Sequence, residues 1–486
     1  MASAATATIG HNGGPPLAVR PQEGPQQALI ECPIEDIFFG GARGGGKTYG
    51  MLLDWIDHAT TYGRYATGVF FRRIFKNLEE VIAEAHRIFP AFGGRWDKSS
   101  ATYVFRTGPM AGARLKFRHL MDAKDADSYL GHAYTWICFE EMTQWATPDP
   151  IDLLRGTLRS AHGVPCVFRG TGNPGGAGHN WVKQRYISPW KAGFKVLTDA
   201  ETGERRIYIP SKLEDNKILM QSNPQYEARL RRVGTPALIK AWRWGDWDIV
   251  AGGFFDDLWR DDKIIIKPFD IPASWTRRRS FDWGSTKPGS LGMWAISDGF
   301  QPRPRPGQVL PYFPAGSFIR FGEWYIAAKD PDGSTKPNVG LKLANPVMGQ
   351  EIAMRTHMHN WSGDVADPAI FTEAGGESVY QQLQRGARQK AHVLNWSMAD
   401  NSRVTGWAKM RAMFEATITD DLENPGIWCF ETCTDFIRTI PVLQADKQKP
   451  DDVDSDGEDH IGDETRYAVM SRGGGAAAGS AKVQGR

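Results

Sequence analysis

Cysteine is scarce in this chain. It has five in 486 residues, Cys32, Cys138, Cys166, Cys429 and Cys433, scattered rather than clustered. That excludes a disulfide-stapled secreted scaffold and suits a reducing compartment. Cys429 and Cys433 have no second pair and no nearby histidine at ligand spacing, so no zinc site is expected there. Long apolar runs are also missing: no stretch approaches the roughly 18 to 20 uncharged apolar residues that cross a bilayer. The start, Met1 to Gly24, is small, polar and rich in Gly and Pro, without the apolar segment of a secretory signal. Neither sign of charge dominates, since 58 Lys and Arg oppose 56 Asp and Glu for a net +2. A protein that holds DNA only by neutralising phosphates is usually more basic. One that grips DNA briefly, or within an assembly, need not be, so composition leaves DNA binding open.

What is present is length for two or three domains and enough apolar residues, 41%, to give each a core. Residues 1–30 read as a flexible leader. Residues 31–250 alternate short apolar runs with helix-like segments, the pattern of an α/β domain with a mostly parallel sheet. The runs are Ile37 to Phe39, Gly68 to Phe71, Trp136 to Phe139 and Cys166 to Phe168. Thr102 to Phe105 and Arg114 to Phe117 flank a Gly-rich turn and predict an inserted hairpin. A second region, 251–472, follows the Trp-rich stretch from Trp242 to Trp247. Its strand candidates are Ser280 to Asp282, Leu291 to Ile296, Phe318 to Tyr325, Asp364 to Ala366, His392 to Trp396 and Ile427 to Phe430. Helix-like segments lie around Leu341 to His359, Gly376 to Arg385 and Thr405 to Glu415. The Gly/Ala-rich tail, 473–486, reads as disordered.

Gly41-Ala42-Arg43-Gly44-Gly45-Gly46-Lys47-Thr48 fits the phosphate-binding loop G-x-x-x-x-G-K-[ST]. A β-rich run enters it and a helix-like segment leaves it, which is the context the chemistry needs. Gly41, Gly44 and Gly46 let backbone N–H groups turn inward around phosphate oxygens, and the helix N-terminus adds a favourable dipole. Lys47 is placed for the β- and γ-phosphates of ATP, and Thr48 for a hydroxyl ligand to Mg²⁺. Such a loop needs acids on a neighbouring strand, and Glu140 and Glu141 end the run from Thr135 to Phe139. Glu140 is expected to contact Mg²⁺, departing from the Asp common at that position, and Glu141 to orient and deprotonate water. Arg43 either stabilises γ-phosphate charge in cis or pins the loop to a carboxylate. Thr171-Gly172-Asn173-Pro174 is either a γ-phosphate sensor that passes that state onward or an ordinary Asn-Pro turn.

The loop Phe39 to Thr48, then Phe71-Arg72-Arg73, then Gly131 and the strand ending Glu140-Glu141, then Thr171-x-Asn173-Pro174, resemble the ATPase half of phage large terminases. The resemblance covers residues 35–250. It implies an ATPase that pumps double-stranded DNA into a preformed capsid, with Thr171 and Asn173 in the coupling role. It implies partners as well: duplex DNA, a small terminase subunit, the portal protein of the procapsid, and further copies in a homo-oligomeric ring, without a membrane. The place of action would be the host cytoplasm and transiently the procapsid portal, not the mature virion. Some such motors use a trans-acting arginine, for which Arg155, Arg159 and Arg185 all stand as candidates.

The second region supplies acids independently. Asp282 ends the first strand of a meander, Asp367 ends a later strand before Pro368, and Asp463 opens a helix-like segment near the C-terminus. Strand-end carboxylates from distant parts of the chain converge this way in an RNase H-like sheet. They would hold two Mg²⁺ or Mn²⁺ ions for phosphodiester cleavage. Asp459 and His460 are near neighbours that assist, and Glu323 substitutes if Asp367 fails. Asp-Trp-Gly, Asp-Pro-Ala and Asp-x-x-x-Asp-x-x-Arg-Tyr-Ala in this order are similar to terminase nuclease domains, implying an endonuclease that cuts concatemers. Arg277-Arg278-Arg279 is either a phosphate clamp or an exposed charge run. Two other readings remain: a cellular helicase or recombinase with a nuclease appendage, and a non-catalytic docking protein. No further helicase-type motif lies between Thr171 and Val250.

Overall fold

The computed structural model describes residues 7–11, 14–199, 202–230, 236–248, 253–329, 333, 335–373, 375–446 and 448–471. The chain divides into two compact units, 1–252 and 253–486. The tail read as disordered, 473–486, lies outside the described residues.

The strands of the first unit are β1 (Ala7–His11), β2 (Gly14–Val19), β3 (Asp36–Gly41), β4 (Thr67–Arg72), β5 (Gly94–Asp97) and β6 (Thr102–Phe105). β7 (Arg114–His119), β8 (Trp136–Phe139), β9 (Val167–Gly172), β10 (Val196–Thr198) and β11 (Arg205–Ser211) complete them. β1 and β2 form a separate antiparallel pair. The others build one nine-stranded sheet in the order β10-β11-β3-β9-β8-β4-β7-β6-β5, whose centre from β11 to β7 is parallel. β3 and β8 are buried along their whole length, as strands covered on both faces must be. One face packs on the helix Lys47–Tyr62 through Met51, Leu52, Trp55 and Ile56, and the other is covered by Trp145, Ile151, Leu154 and Tyr186. The expected hairpin is there as β6 and β7, extended by β5. Within the stretch read as a leader, Pro25–Glu31 is a helix with Gln26 and Leu29 buried. Its apolar residues are few but meet the first core cluster.

The strands of the second unit are β12 (Ile265–Ile266), β13 (Thr276–Asp282), β14 (Gly289–Ile296), β15 (Phe318–Lys329), β16 (Thr335–Gly340), β17 (Val365–Ala366), β18 (Ser397–Met398) and β19 (Ile427–Phe430). The sheet order is β12-β19-β15-β14-β13-β17-β18, with β16 paired to β15 off this path. β13, β14 and β15 are an antiparallel meander, and β17 and then β18 add in parallel beside β13. This is the RNase H-like topology. Helices cover both faces: Asn345–Thr356 and Val379–Arg388 on one, Arg403–Ile418 and His460–Met470 on the other. The strand expected at His392 to Trp396 falls instead at Ser397–Met398. There Leu394 and Trp396 face the core from a connecting segment, so apolar content alone mimicked a strand.

Candidate functional site

In the first unit the neighbours β3, β9 and β8 each deliver polar groups just past their C-terminal ends. The loop after β3 turns on Gly41, Gly44 and Gly46, at φ of 130°, 73° and 75°, a region that a Cβ disfavours. A Cβ at Gly41 would also strike the carbonyl of Ser211, which accepts the Ala42 N–H at 2.8 Å. Gly46 caps the helix Lys47–Tyr62 without a side-chain hydrogen bond. Its first-turn N–H groups are therefore left to an anion or water.

Lys47 is buried. Its ammonium donates to Ala42 O and, at 2.7 Å, to Asn173 Oδ1. Burial pulls its pKa down to about 8, while Glu141 and Glu140 pull the other way. Thr48 Oγ1 donates to Glu140 Oε1, and Arg72 Nε donates to the other carboxylate oxygen at 2.7 Å. Burial raises the Glu140 pKa, and Arg72 and Thr48 hold it back. Glu141 sits in left-handed backbone at φ 60°. Its N–H donates to Thr171 Oγ1 at 3.1 Å, and its carboxylate takes both oxygens' bonds from Asn173 Nδ2, at 2.8 and 3.0 Å. These bonds join Lys47, Asn173, Glu141 and Thr171 in one network, with Thr48, Glu140 and Arg72 in a second whose members adjoin it in sequence at Lys47-Thr48 and Glu140-Glu141. The touching hydroxyl and carboxylate of Thr48 and Glu140 are the oxygen donors a hard cation takes.

Arg43 does something neither expectation described. Its guanidinium stacks on the Trp242 ring at 4.0 Å, and its backbone N–H donates to Trp242 O at 2.9 Å. Sequence reading also missed two amides that fix the loop: Asn216 Nδ2 donates to Gly44 O at 2.7 Å and Gln26 Nε2 to Gly46 O at 2.9 Å. No local pattern marks either. Among the arginine candidates, Arg155 pairs with Asp36 at 2.9 Å over the Phe168 ring, and Arg185 makes two 2.7 Å bonds to Asp152. Both serve the unit's own packing, whereas Arg159 is exposed.

In the second unit Asp282 closes β13, and the N–H of Asp367 donates to Phe281 O at 2.8 Å, so the two acids leave adjacent strands together. The helix His460–Met470 crosses the sheet beside them. Gly292 permits this, since a Cβ there would overlap the Glu464 carboxylate. That carboxylate is fully buried and bonded to Ser280, Trp294 and Arg320. With Glu464 facing inward, Asp463 lies at the sheet edge, held by Arg403 at 3.0 Å and Arg466 at 3.1 Å.

Asp282 is driven well above the usual carboxylate range by burial, then by Asp463 and Asp367. Burial, and then Asp463, raises Asp367 as well. Asp459 is pushed up to about 7 by burial, then Asp463. His460 Nδ1 lies 3.3 Å from Asp282 Oδ2, and its Nε2 3.1 Å from Asn338 Oδ1. Carboxylates that raise one another's pKa are a donor set that a divalent cation would relieve. Even so, among the described residues no group of three or more His, Cys, Asp or Glu is gathered tightly enough to enclose a metal ion. Asp282, Asp367 and Asp463 thus feel one another's charge, but the described residues do not gather them into the three-carboxylate centre that was expected.

Two expectations are corrected. Glu323 is no substitute for Asp367, because its carboxylate accepts the N–H groups of Asp435 and Phe436 at 2.7 and 3.2 Å and pairs with Arg320. It caps the helix Thr434–Thr439. Arg278 and Arg279 are no exposed clamp either; both are buried, with Arg279 on Asp364 at 2.6 Å. Alternation along β13 points these two long side chains into opposite layers.

No protein-family model matches the chain, and no curated protein matches it. Among solved structures it is similar to the large terminase of a thermophilic bacteriophage in complex with ADP, at 14% identity, 92% of this chain, 98% of that chain and a TM-score of 0.40. It is similar to the large terminase of bacteriophage HK97, at 12% identity, 94% and 95% coverage and a TM-score of 0.41. Over 45% of this chain and 91% of the other, it is similar to the P22 large terminase nuclease domain, at 14% identity and a TM-score of 0.30.

Proposed function

We propose that the chain is the motor and nuclease subunit of a phage-type DNA-packaging machine. ATP hydrolysis in the first unit moves double-stranded DNA, and the second unit cuts it. The observation that carries this reading is the linked set Lys47–Asn173–Glu141 and Thr48–Glu140 at the ends of three adjacent strands. Lys47 exchanges Ala42 O and Asn173 for the β- and γ-phosphate oxygens of ATP. Thr48 and Glu140 would hold Mg²⁺, which when bound would neutralise charge on the transferred group. Glu141 takes the proton as a water oxygen bonds to the γ-phosphorus and the bond to the bridging oxygen breaks. Asn173 then changes partners with the γ-phosphate state, and Thr171 carries that change along β9.

In the second unit Asp282, Asp367 and Asp463 would hold Mg²⁺ or Mn²⁺, with Asp459 and His460 assisting. The cations supply charge for the attacking water and the departing 3′ oxygen. On this reading the chain works as a homo-oligomeric ring on the procapsid portal in the host cytoplasm, receiving concatemeric DNA from a small terminase subunit.

The test is paired. Lys47→Ala is expected to lower ATP hydrolysis by about a hundredfold or more, and Asp282→Asn to end Mn²⁺-dependent plasmid nicking. Full hydrolysis by the first variant would reject the motor, and persistent nicking by the second would reject the nuclease. Protection of DNA from added nuclease, only when procapsids and ATP are present, separates packaging from strand displacement on a forked duplex.

A further inference from the structure

We infer that the outer face of the β5-β6-β7 hairpin is a sequence-independent docking surface for the phosphate backbone of duplex DNA. Along β7 the side chains alternate, so Leu115 and Phe117 enter the core while Arg114, Lys116 and Arg118 line the opposite face. Across the sheet Arg114 pairs with Val104 and Val104 with Arg95, which puts Arg95 on the same face. Successive cations on one strand stand about 6.6 to 6.8 Å apart, and Arg95 lies roughly 10 Å across the sheet from Arg114.

Four other arginines of this unit are closely paired: Arg72 with Glu140, Arg155 with Asp36, Arg169 with Asp54 and Arg185 with Asp152. Among the described residues Arg95, Arg114, Lys116 and Arg118 make no ion pair. Arg118 donates to the carbonyls of Ala101 and Phe117, and Lys116 lies 5.7 Å from the Tyr134 ring. Asp97, at the far edge of the face, turns to Ser99 and Ser100. Like charges set side by side without counter-charge are costly unless a polyanion supplies it.

The face also says which polyanion. Single strands are held by stacking bases on aromatic rings, but here Trp96, Tyr103, Phe105 and Phe117 all lie on the inward side. What the face offers is point charges and bidentate guanidinium groups, which suit phosphates rather than bases. This surface lies outside the proposed ATP site, and its test can be read whether or not that site hydrolyses ATP.

The experiment is anisotropy of a fluorescein-labelled duplex of arbitrary sequence, titrated with the full chain over a range of salt concentrations. Replacing Arg95, Arg114, Lys116 and Arg118 together by Gln is expected to flatten the slope of log K against log salt by about 3.6, at about 0.9 for each phosphate no longer neutralised. Converting the three arginines to Lys keeps the charges and should keep the slope. If the fourfold variant fails to fold, Lys116→Gln alone should flatten the slope by about 0.9. An unchanged slope in a folded variant overturns the inference. So does loss of binding to phosphatidylserine vesicles with duplex binding intact, which would assign the face to a membrane surface.

Discussion

Asn173 joins the phosphate-side lysine to the water-side glutamate, its Oδ1 on Lys47 and its Nδ2 on both oxygens of Glu141. An amide can do this because it carries an acceptor and two donors on one rigid plane. Asn173→Ala leaves Lys47 its bond to Ala42 O, so phosphate binding survives, while Glu141 loses the donor that fixes its carboxylate. The expected result is a fall in kcat of about tenfold to a hundredfold with little change in KM for ATP. Asn173→Asp places a like charge against Glu141 and should lower kcat further. Steady-state hydrolysis separates the two constants; a raised KM with kcat intact would mean that Asn173 only helps to bind. The sequence left Asn173 open between sensor and turn former, because its bond to Lys47 spans 126 residues. Arg43 shows the opposite difficulty. Its position inside the loop left γ-phosphate or a carboxylate as its partner, and neither reading contained the Trp242 ring on which its guanidinium stacks.

At the scale of elements, strands were legible where full burial of apolar residues imposed a pattern, as in β3 and β8, whereas only the last three residues of β13 were read and its arginines were not. The loop-to-helix junction at Lys47 was legible because glycine spacing is local. Asp282 and Asp367 were readable as strand ends, but choosing Asp367 over Glu323 required knowing that β17 adds beside β13 whereas β15 lies beyond β14. Glu464 and Asp463 are consecutive, and only the helix's crossing over Gly292 decides which one turns inward. The two carboxylates outside that helix can be told apart experimentally. Asp367→Asn should weaken Mn²⁺ binding, read as the shift in melting temperature on adding the metal, with little loss of metal-free stability. Glu323→Gln removes one of the two carboxylates on the fully buried Arg320, the other being Glu464, and weakens a helix cap; it should cost roughly 1 to 2 kcal/mol in urea unfolding while keeping the Mn²⁺ shift. Exchanged outcomes would return Glu323 to the site.

The whole chain balances 58 basic residues against 56 acidic ones, and the fold uses the balance inside. Arg169–Asp54, Arg279–Asp364 and Arg320–Glu464 are buried pairs. Each unit has its own core clusters, so each carries its own sensitivity to pH. In the first unit His58 and His179 are buried, and burial lowers both imidazoles from 6.5 to about 3. Such a group contributes stability that is fully present above 6.5. As pH falls below that value the unfolded chain takes up the proton, while the folded chain refuses it until about 3. Each histidine therefore removes stability at about 1.4 kcal/mol per pH unit within that window. Asp57, raised to about 6 by burial, then Asp54, binds its proton in the folded state and works the other way. The slope of the whole unit is thus a sum of opposing parts, and a substitution has to isolate one. His58→Gln keeps a polar partner for Thr135, which lies 2.9 Å from the imidazole Nε2. The advantage of the unsubstituted chain over this variant, measured by urea unfolding at steps from pH 7 to pH 4.5, should shrink by roughly 1 kcal/mol per unit below 6.5. A difference that stays constant across that range would mean that His58 keeps its proton affinity on folding, and that the acid sensitivity of the unit arises elsewhere.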